Sequence, residues 1–148
     1  MKVVIQRVAS ARVAVDAQIV GSIHTGLLLL VGMSETDNAT TIEKMVKKIL
    51  NLRIFEDDDG KMNRSILDVG GEILSVSQFT LFADCSRWNR PSFIGAGNPA
   101  IARQLWEDFN AKILENMGTI ETGIFGADMK VTLENDGPVT IILESEMF

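Results

Sequence analysis

Cysteine and histidine are almost missing from this chain: Cys85 and His24 are the single examples of each. One cysteine excludes an intramolecular disulfide and suits a reducing compartment. One histidine and one cysteine, with no ligand spacing, exclude the usual zinc centre, which needs several His, Cys or carboxylate ligands. No metal and no cofactor is therefore expected. A Ser-His-Asp triad needs a base held beside a serine, and no Gly-x-Ser-x-Gly elbow occurs. His24 reads as an exposed turn residue. Asp57-Asp58-Asp59-Gly60 lacks the alternating ligands and terminal glutamate of a calcium-binding EF-hand loop, so it reads as a solvated acidic turn. Gly95-Ala96-Gly97 follows no clear strand and makes only a weak phosphate-loop signal.

Long apolar runs and an excess of positive charge are missing too. The longest aliphatic run, Leu27 to Val31, is far too short to cross a bilayer. Met1-Lys2 leads directly into an alternating strand pattern and not into a leader-like apolar helix. The expectation is a cytoplasmic protein with no membrane partner. The formal net charge is −6, whereas nucleic-acid binding normally shows as a basic field. Basic groups are only local: Lys44, Lys47, Lys48, Lys61, Arg64, Arg87 and Arg90. An RNA held by such a protein would be gripped at few points, with a shallow salt dependence. Neither repeats nor linkers interrupt the 148 residues. That length predicts a single domain over 1–148, with a core that needs no disulfides.

What is present reads as an α/β pattern. Residues 2–9 are rich in β-branched types, 13–20 continue in that style, and Gly21 to Gly26 reads as a turn. Leu27 to Val31 has the length and continuity of a fully buried strand. A first helix is predicted over about 38–51, capped by Asp37 or Asn38. Ile42, Met45, Val46, Ile49 and Leu50 form its apolar stripe, opposite Lys44, Lys47 and Lys48. Residues 72–77 read as a strand, and Ser77 to Asp84 follows without a break. A second helix opens at Asn98-Pro99, buries Ile101, Leu105, Phe109 and Ile113 with Trp106 beside them, and ends at Gly118. A hairpin-like pair, 129–134 and 139–144, closes the chain through Asn-Asp-Gly-Pro. The expected order is β-β-β-α-β-α-β-β, as one layered domain.

Two segments stand out: Ser77-Gln78-Phe79-Thr80-Leu81-Phe82-Ala83-Asp84 and Asn135-Asp136-Gly137-Pro138-Val139-Thr140. Each joins a strand-like run to a small polar cluster. With Gln6-Arg7-Val8, Arg53-Ile54-Phe55, Gly60-Lys61-Met62-Asn63 and Arg90-Pro91-Ser92-Phe93, they occur in order along nearly the whole chain. In these motifs the sequence resembles the D-aminoacyl-tRNA deacylases, homodimeric enzymes that hydrolyse D-amino acids from tRNA. The resemblance implies two helices against stacked sheets and a substrate consisting of an aminoacyl-tRNA's 3′-terminal adenosine and its amino acid. It also implies some action on glycyl-tRNA.

The family's site maps onto residues whose plain readings differ. As an ordinary strand, Ser77 to Leu81 would put Phe79 and Leu81 in the core, with Gln78 and Thr80 together on the other face. The resemblance makes Ser77, Gln78, Phe79 and Thr80 catalytic. A hydroxyl nucleophile at Thr80 needs a base that the sequence does not supply. Its role is therefore read as substrate positioning, with backbone N–H groups stabilising an oxyanion. Gly137-Pro138 is good turn chemistry; the resemblance makes it a cis bond that reaches the partner's pocket and rejects L-amino acids. Arg7 is either a solvent-facing charge or the support of that loop. Met129 is equally core or pocket wall, and Phe93 either stacks on the adenosine or packs under its own loop. The segment 85–89 lacks the lysine- and glycine-rich character expected before Arg90. Two rival readings remain: a non-catalytic nucleic-acid-binding module, and a deacylase for a small L-amino acid.

Overall fold

The computed structural model describes residues 1–148. Eight strands and three helices follow one another as β1 Lys2–Val15, β2 Gln18–Ile23, β3 Gly26–Gly32, α1 Ala39–Leu50, β4 Phe55–Glu56, β5 Met62–Arg64, α2 Ile66–Val69, β6 Glu72–Ser77, α3 Pro99–Met117, β7 Glu121–Thr122 and β8 Lys130–Glu144. A 3-10 turn, Phe79–Phe82, follows β6. No helix is long and apolar enough to cross a membrane.

β1 is the spine of the main sheet. Along one edge it pairs with β3 over Lys2 to Val8 and with β2 over Ala11 to Val15. Along the other it pairs with β8, from Lys2–Glu144 to Ala14–Lys130. β6 runs parallel to β3, and β7 parallel to β6. Odd-numbered side chains of the first half (Val3, Ile5, Leu27, Leu29, Val31 and Ile73) face α1 and α3 in the larger core. Leu28, Leu74 and Val76 face the other way, against Val8, Ala11, Val13 and Ile23 in a second core. The continuous apolar run Leu27 to Val31 is thus covered on both faces, as a central strand with a parallel neighbour requires. The sheet coils until β2 approaches β7. There, a Cβ on Gly21 would sit 2.9 Å from the Thr122 carbonyl oxygen, so only glycine lets the two backbones meet.

Both long helices lie where periodicity puts them. The Asn38 side chain caps α1 by accepting from the Thr41 N–H at 3.1 Å, and Asn98 caps α3 by accepting from Ala100 at 3.0 Å. The buried face of α3 is rotated from the expected one, to Ala102, Trp106, Phe109, Asn110 and Ile113, with Ile101 exposed. Trp106 fixes that rotation by donating its indole N–H to Ser75 Oγ at 3.1 Å.

Four other expectations are corrected. The first strand does not stop near residue 9 but runs to Val15, and the chain turns at Asp16-Ala17, both at positive φ. Gly21 therefore lies inside β2, and the next turn is at His24-Thr25. β4, β5 and α2, too short to show periodicity, add elements to the expected order, and so does β7. Finally, 129–134 and 139–144 do not form a hairpin. They are one long strand that interrupts its own ladder at the Asn-Asp-Gly-Pro segment.

Candidate active site

The Asn-Asp-Gly-Pro segment bulges because β1 and β8 lose step. Gln6 pairs with Thr140 and Val8 with Asn135, so Arg7 alone spans four residues, 136–139. The bulge is held from inside and from below. Asn135 Oδ1 accepts from the Val139 N–H at 2.8 Å, and its amide donates to Thr140 Oγ1 at 3.1 Å. Arg7 donates through Nε to the Asp136 carbonyl at 3.0 Å and through Nη1 to the Ile54 carbonyl at 2.6 Å. Arg7 is only 6 % exposed, which removes the reading of a solvent-facing charge. The Gly137-Pro138 bond is cis, and Gly137 has φ 131°. A Cβ at Gly137 would lie 3.0 Å from Arg7 Nη2 and 2.8 Å from Val139 Cγ2. Gly137 is thus both strained for other residues and packed on the guanidinium.

The second cluster sits where β6 ends. The Gln78 N–H donates to the Val31 carbonyl at 2.8 Å and finishes the sheet. The chain then winds into the 3-10 turn, which corrects the expectation of an unbroken strand. Gln78 and Thr80 do come together, but through the turn and not by strand alternation: the Gln78 amide donates to Thr80 Oγ1. The first hydrogen bond of the turn runs from the Leu81 N–H to the Gln78 carbonyl. The N–H groups of Phe79 and Thr80 precede that ladder and take no protein partner, as at the start of any helical turn. Phe79 is not a core residue; it is 57 % exposed and meets Phe93 edge to face, ring centres 5.1 Å apart. Phe93 is brought there by the bridge between Asp84 and Ser92, with N–H to O distances of 2.8 and 3.0 Å. The Ser86 backbone N–H holds the Asp84 carboxyl below its ordinary range and helps close the same loop.

Met129 packs on the second core beside Gly123 and Val76, one residue before Ser77. His24 lies at the opposite end of β6, 94 % exposed and near Glu72. The Thr80 hydroxyl thus has an amide donor beside it and no imidazole. The Asp57 carboxylate in the acidic turn already accepts from the N–H groups of Asp59 and Lys61 and from the Asn63 amide, at 2.9, 2.9 and 2.7 Å.

The two clusters stand apart within one chain. Ser77 is level with Val31 and so with Val3, while Gly137 lies beside Arg7. Four residues of β1, about 14 Å at about 3.4 Å each, separate those levels, and β1 and β3 lie between the strands. The Ile54 and Asp136 carbonyls were invisible to residue-type reasoning because they are backbone atoms. The Asx chemistry of Asn135 was the one available signal for the bulge.

The family model described as D-Tyr-tRNA(Tyr) deacylase matches residues 4–144. A D-aminoacyl-tRNA deacylase of Lactobacillus delbrueckii subsp. bulgaricus is 58 % identical over 97 % of this chain and 99 % of its own length. The solved structure of a c-Myc DNA Unwinding Element Binding Protein is 42 % identical, with a TM-score of 0.92 over 97 % of this chain and 98 % of that one. A structure described as "a probable eukaryotic D-amino acid tRNA deacylase" shares the mixed α/β fold, with a TM-score of 0.83 at 16 % identity over 96 % and 97 % of the two chains. The chain therefore belongs to the D-Tyr-tRNA(Tyr) deacylase family and is an enzyme of that kind.

Proposed function

We propose that the protein hydrolyses the ester bond of D-aminoacyl-tRNA, releasing tRNA and the free D-amino acid. The observation that carries this reading is the pair of free N–H groups at Phe79 and Thr80, beside a hydroxyl already engaged by Gln78. An aminoacyl ester is an activated ester. Its hydrolysis needs an oriented water and donors aimed at the developing oxyanion, more than it needs a strong nucleophile. In this reading the two N–H groups receive the carbonyl oxygen, and Gln78 and Thr80 orient the ester. Ser77 anchors the turn to β6, and Phe79 and Phe93 give the terminal adenosine a stacking surface. Met129 lines the floor. The attacking water adds to the ester carbon, the ribose oxygen leaves with a proton, and the carboxylate departs with the amino acid.

The Gly137-Pro138 bulge acts in a partner subunit. The distance between the two clusters supports this, because one chain's bulge does not cover its own Thr80. In a homodimer it would wall the neighbour's site, its carbonyls facing the substrate's α-carbon. An L side chain would collide with that wall, whereas a D side chain points away and glycine has none to reject. Activity on glycyl-tRNA follows from the same geometry.

The name of the c-Myc DNA Unwinding Element Binding Protein favours a second reading, nucleic-acid binding without turnover. The net charge of −6 counts against a broad basic interface. One experiment separates the readings: catalytic amounts of purified protein with D-Tyr-, L-Tyr- and Gly-charged tRNA. Multiple turnovers on D-Tyr-tRNA and none on L-Tyr-tRNA are expected. Stoichiometric binding with no free amino acid would favour the second reading.

A further inference from the structure

Two stretches singled out in the sequence, Arg53-Ile54-Phe55 and Gly60-Lys61-Met62-Asn63, have no part in the chemistry above. In the structure they are the two arms of the β4–β5 hairpin. That hairpin meets the site at one atom. The Ile54 carbonyl accepts from Arg7 Nη1 at 2.6 Å, and the same guanidinium donates from Nε to the Asp136 carbonyl at 3.0 Å.

The residues on either side of Ile54 are clamped to the opposite arm. Arg53 donates through Nε and Nη2 to the carbonyl and Oδ1 of Asn63, at 3.0 and 2.7 Å. Phe55 pairs with Arg64 in the ladder. Asn63 is itself held, because its amide donates to Asp57 Oδ2 at 2.7 Å. The other Asp57 oxygen gathers the Asp59 and Lys61 N–H groups of the turn. Ile54 and Phe55 are buried in the helix-side core, so the hairpin cannot slide along the sheet. A guanidinium is a rigid planar fork. Two carbonyls at fixed points therefore define its plane, and one of those two belongs to the hairpin.

We infer that Asn63 and Asp57 are positioning residues for Arg7. They fix the Ile54 carbonyl, the carbonyl orients the guanidinium, and the guanidinium sets the position of the Asp136–Pro138 bulge. The catalytic consequence rests on the reading of that bulge as the substrate-facing wall; the mechanical one does not.

The test uses the full-length protein with Asn63→Ala. Asp57→Asn, which keeps the side chain's shape, serves as a second variant if the first loses stability. Asp58→Asn is the control on the same hairpin, since the Asp58 carboxylate is 92 % exposed and bonds only Arg64. The first readout needs no substrate: solvent exchange of the Arg7 Nε–H by nitrogen-15 NMR. It should accelerate by at least about tenfold in Asn63→Ala or Asp57→Asn, as a local opening does, and stay unchanged in Asp58→Asn. Unchanged exchange in the first two variants would overturn the inference.

The second readout is kcat and KM on D-Tyr-tRNA. Displacing a wall without touching the chemistry should lower kcat by about tenfold to about a hundredfold. Arg7→Ala combined with Asn63→Ala should be no worse than Arg7→Ala alone, because the chain of contacts is already cut. Independent, additive losses would also overturn the inference. A wild-type protein that released no amino acid would sink the proposed function while leaving the exchange experiment valid.

Discussion

Deleting a hydroxyl from Thr80 and adding a methyl to Gly137 perturb the two halves of the site in opposite ways. The Thr80 hydroxyl accepts from the Gln78 amide and has no base beside it. A typical hydrogen bond contributes about 1 kcal/mol net, about fivefold in rate if it acts only in the transition state. Thr80→Ala should therefore keep most of its turnover on D-Tyr-tRNA, with a single-turnover rate within about tenfold of wild type. A loss of several orders of magnitude in a folded variant, or a trapped acyl-enzyme, would make Thr80 a nucleophile. Gly137→Ala meets φ 131°, the Arg7 guanidinium and Val139 at once. The strained backbone alone costs roughly 1–3 kcal/mol. The expected result is a folded protein, destabilised by about that amount in urea, in which the bulge has moved and D-Tyr-tRNA activity is mostly lost.

Among the elements, the β4–β5 hairpin should respond to acid through the Asp57 carboxyl. The Asn63 side-chain amide, followed by the Lys61 N–H, holds the Asp57 carboxyl below its ordinary range. A carboxyl with a depressed folded-state pKa contributes its full stabilisation above the ordinary carboxylate range and loses it as pH falls through the depressed value. The hairpin should thus stay closed at neutral and weakly acid pH and loosen only below the ordinary range. In an NMR titration, the Asn63 amide should shift there in wild type and show no such step in Asp57→Asn. The same elements mark what the sequence could disclose. α1 and α3 were legible because twelve and nineteen residues repeat an apolar face and carry side-chain caps. The hairpin and α2 were not, since two to four residues have no period to read. β8 was misread because Asn-Asp-Gly-Pro is turn chemistry; whether the chain reverses there depends on Arg7, 129 positions away in sequence, which binds the Asp136 carbonyl and keeps the strand going straight. The site residues Thr80 and Gln78 were legible by resemblance, but the 3-10 turn that joins them carries no pattern of its own.

For the molecule as a whole, the separation of Thr80 from Gly137 makes the partner subunit part of the enzyme in the proposed reading. A variant crippled at Gln78 and one crippled at Gly137 should each be inactive. Mixed and re-assembled, they should recover a fraction of wild-type turnover, because one of the two sites in the hybrid combines the unmutated Gln78 of one chain with the unmutated Gly137 of the other. Hybrid dimers that form and stay inactive would return the bulge to its own subunit. The role of β1 as spine also bears on how the molecule is made. Lys2 pairs with Glu144, so β1 leaves the ribosome well before β8 is made to cover its outer edge. Ladders between such distant residues close slowly, and an open strand edge is a template for other chains. A nascent chain halted before residue 130 would hold β1 and β3 ready but uncapped, and its hazard would be aggregation on the ribosome long before any question of catalysis arose.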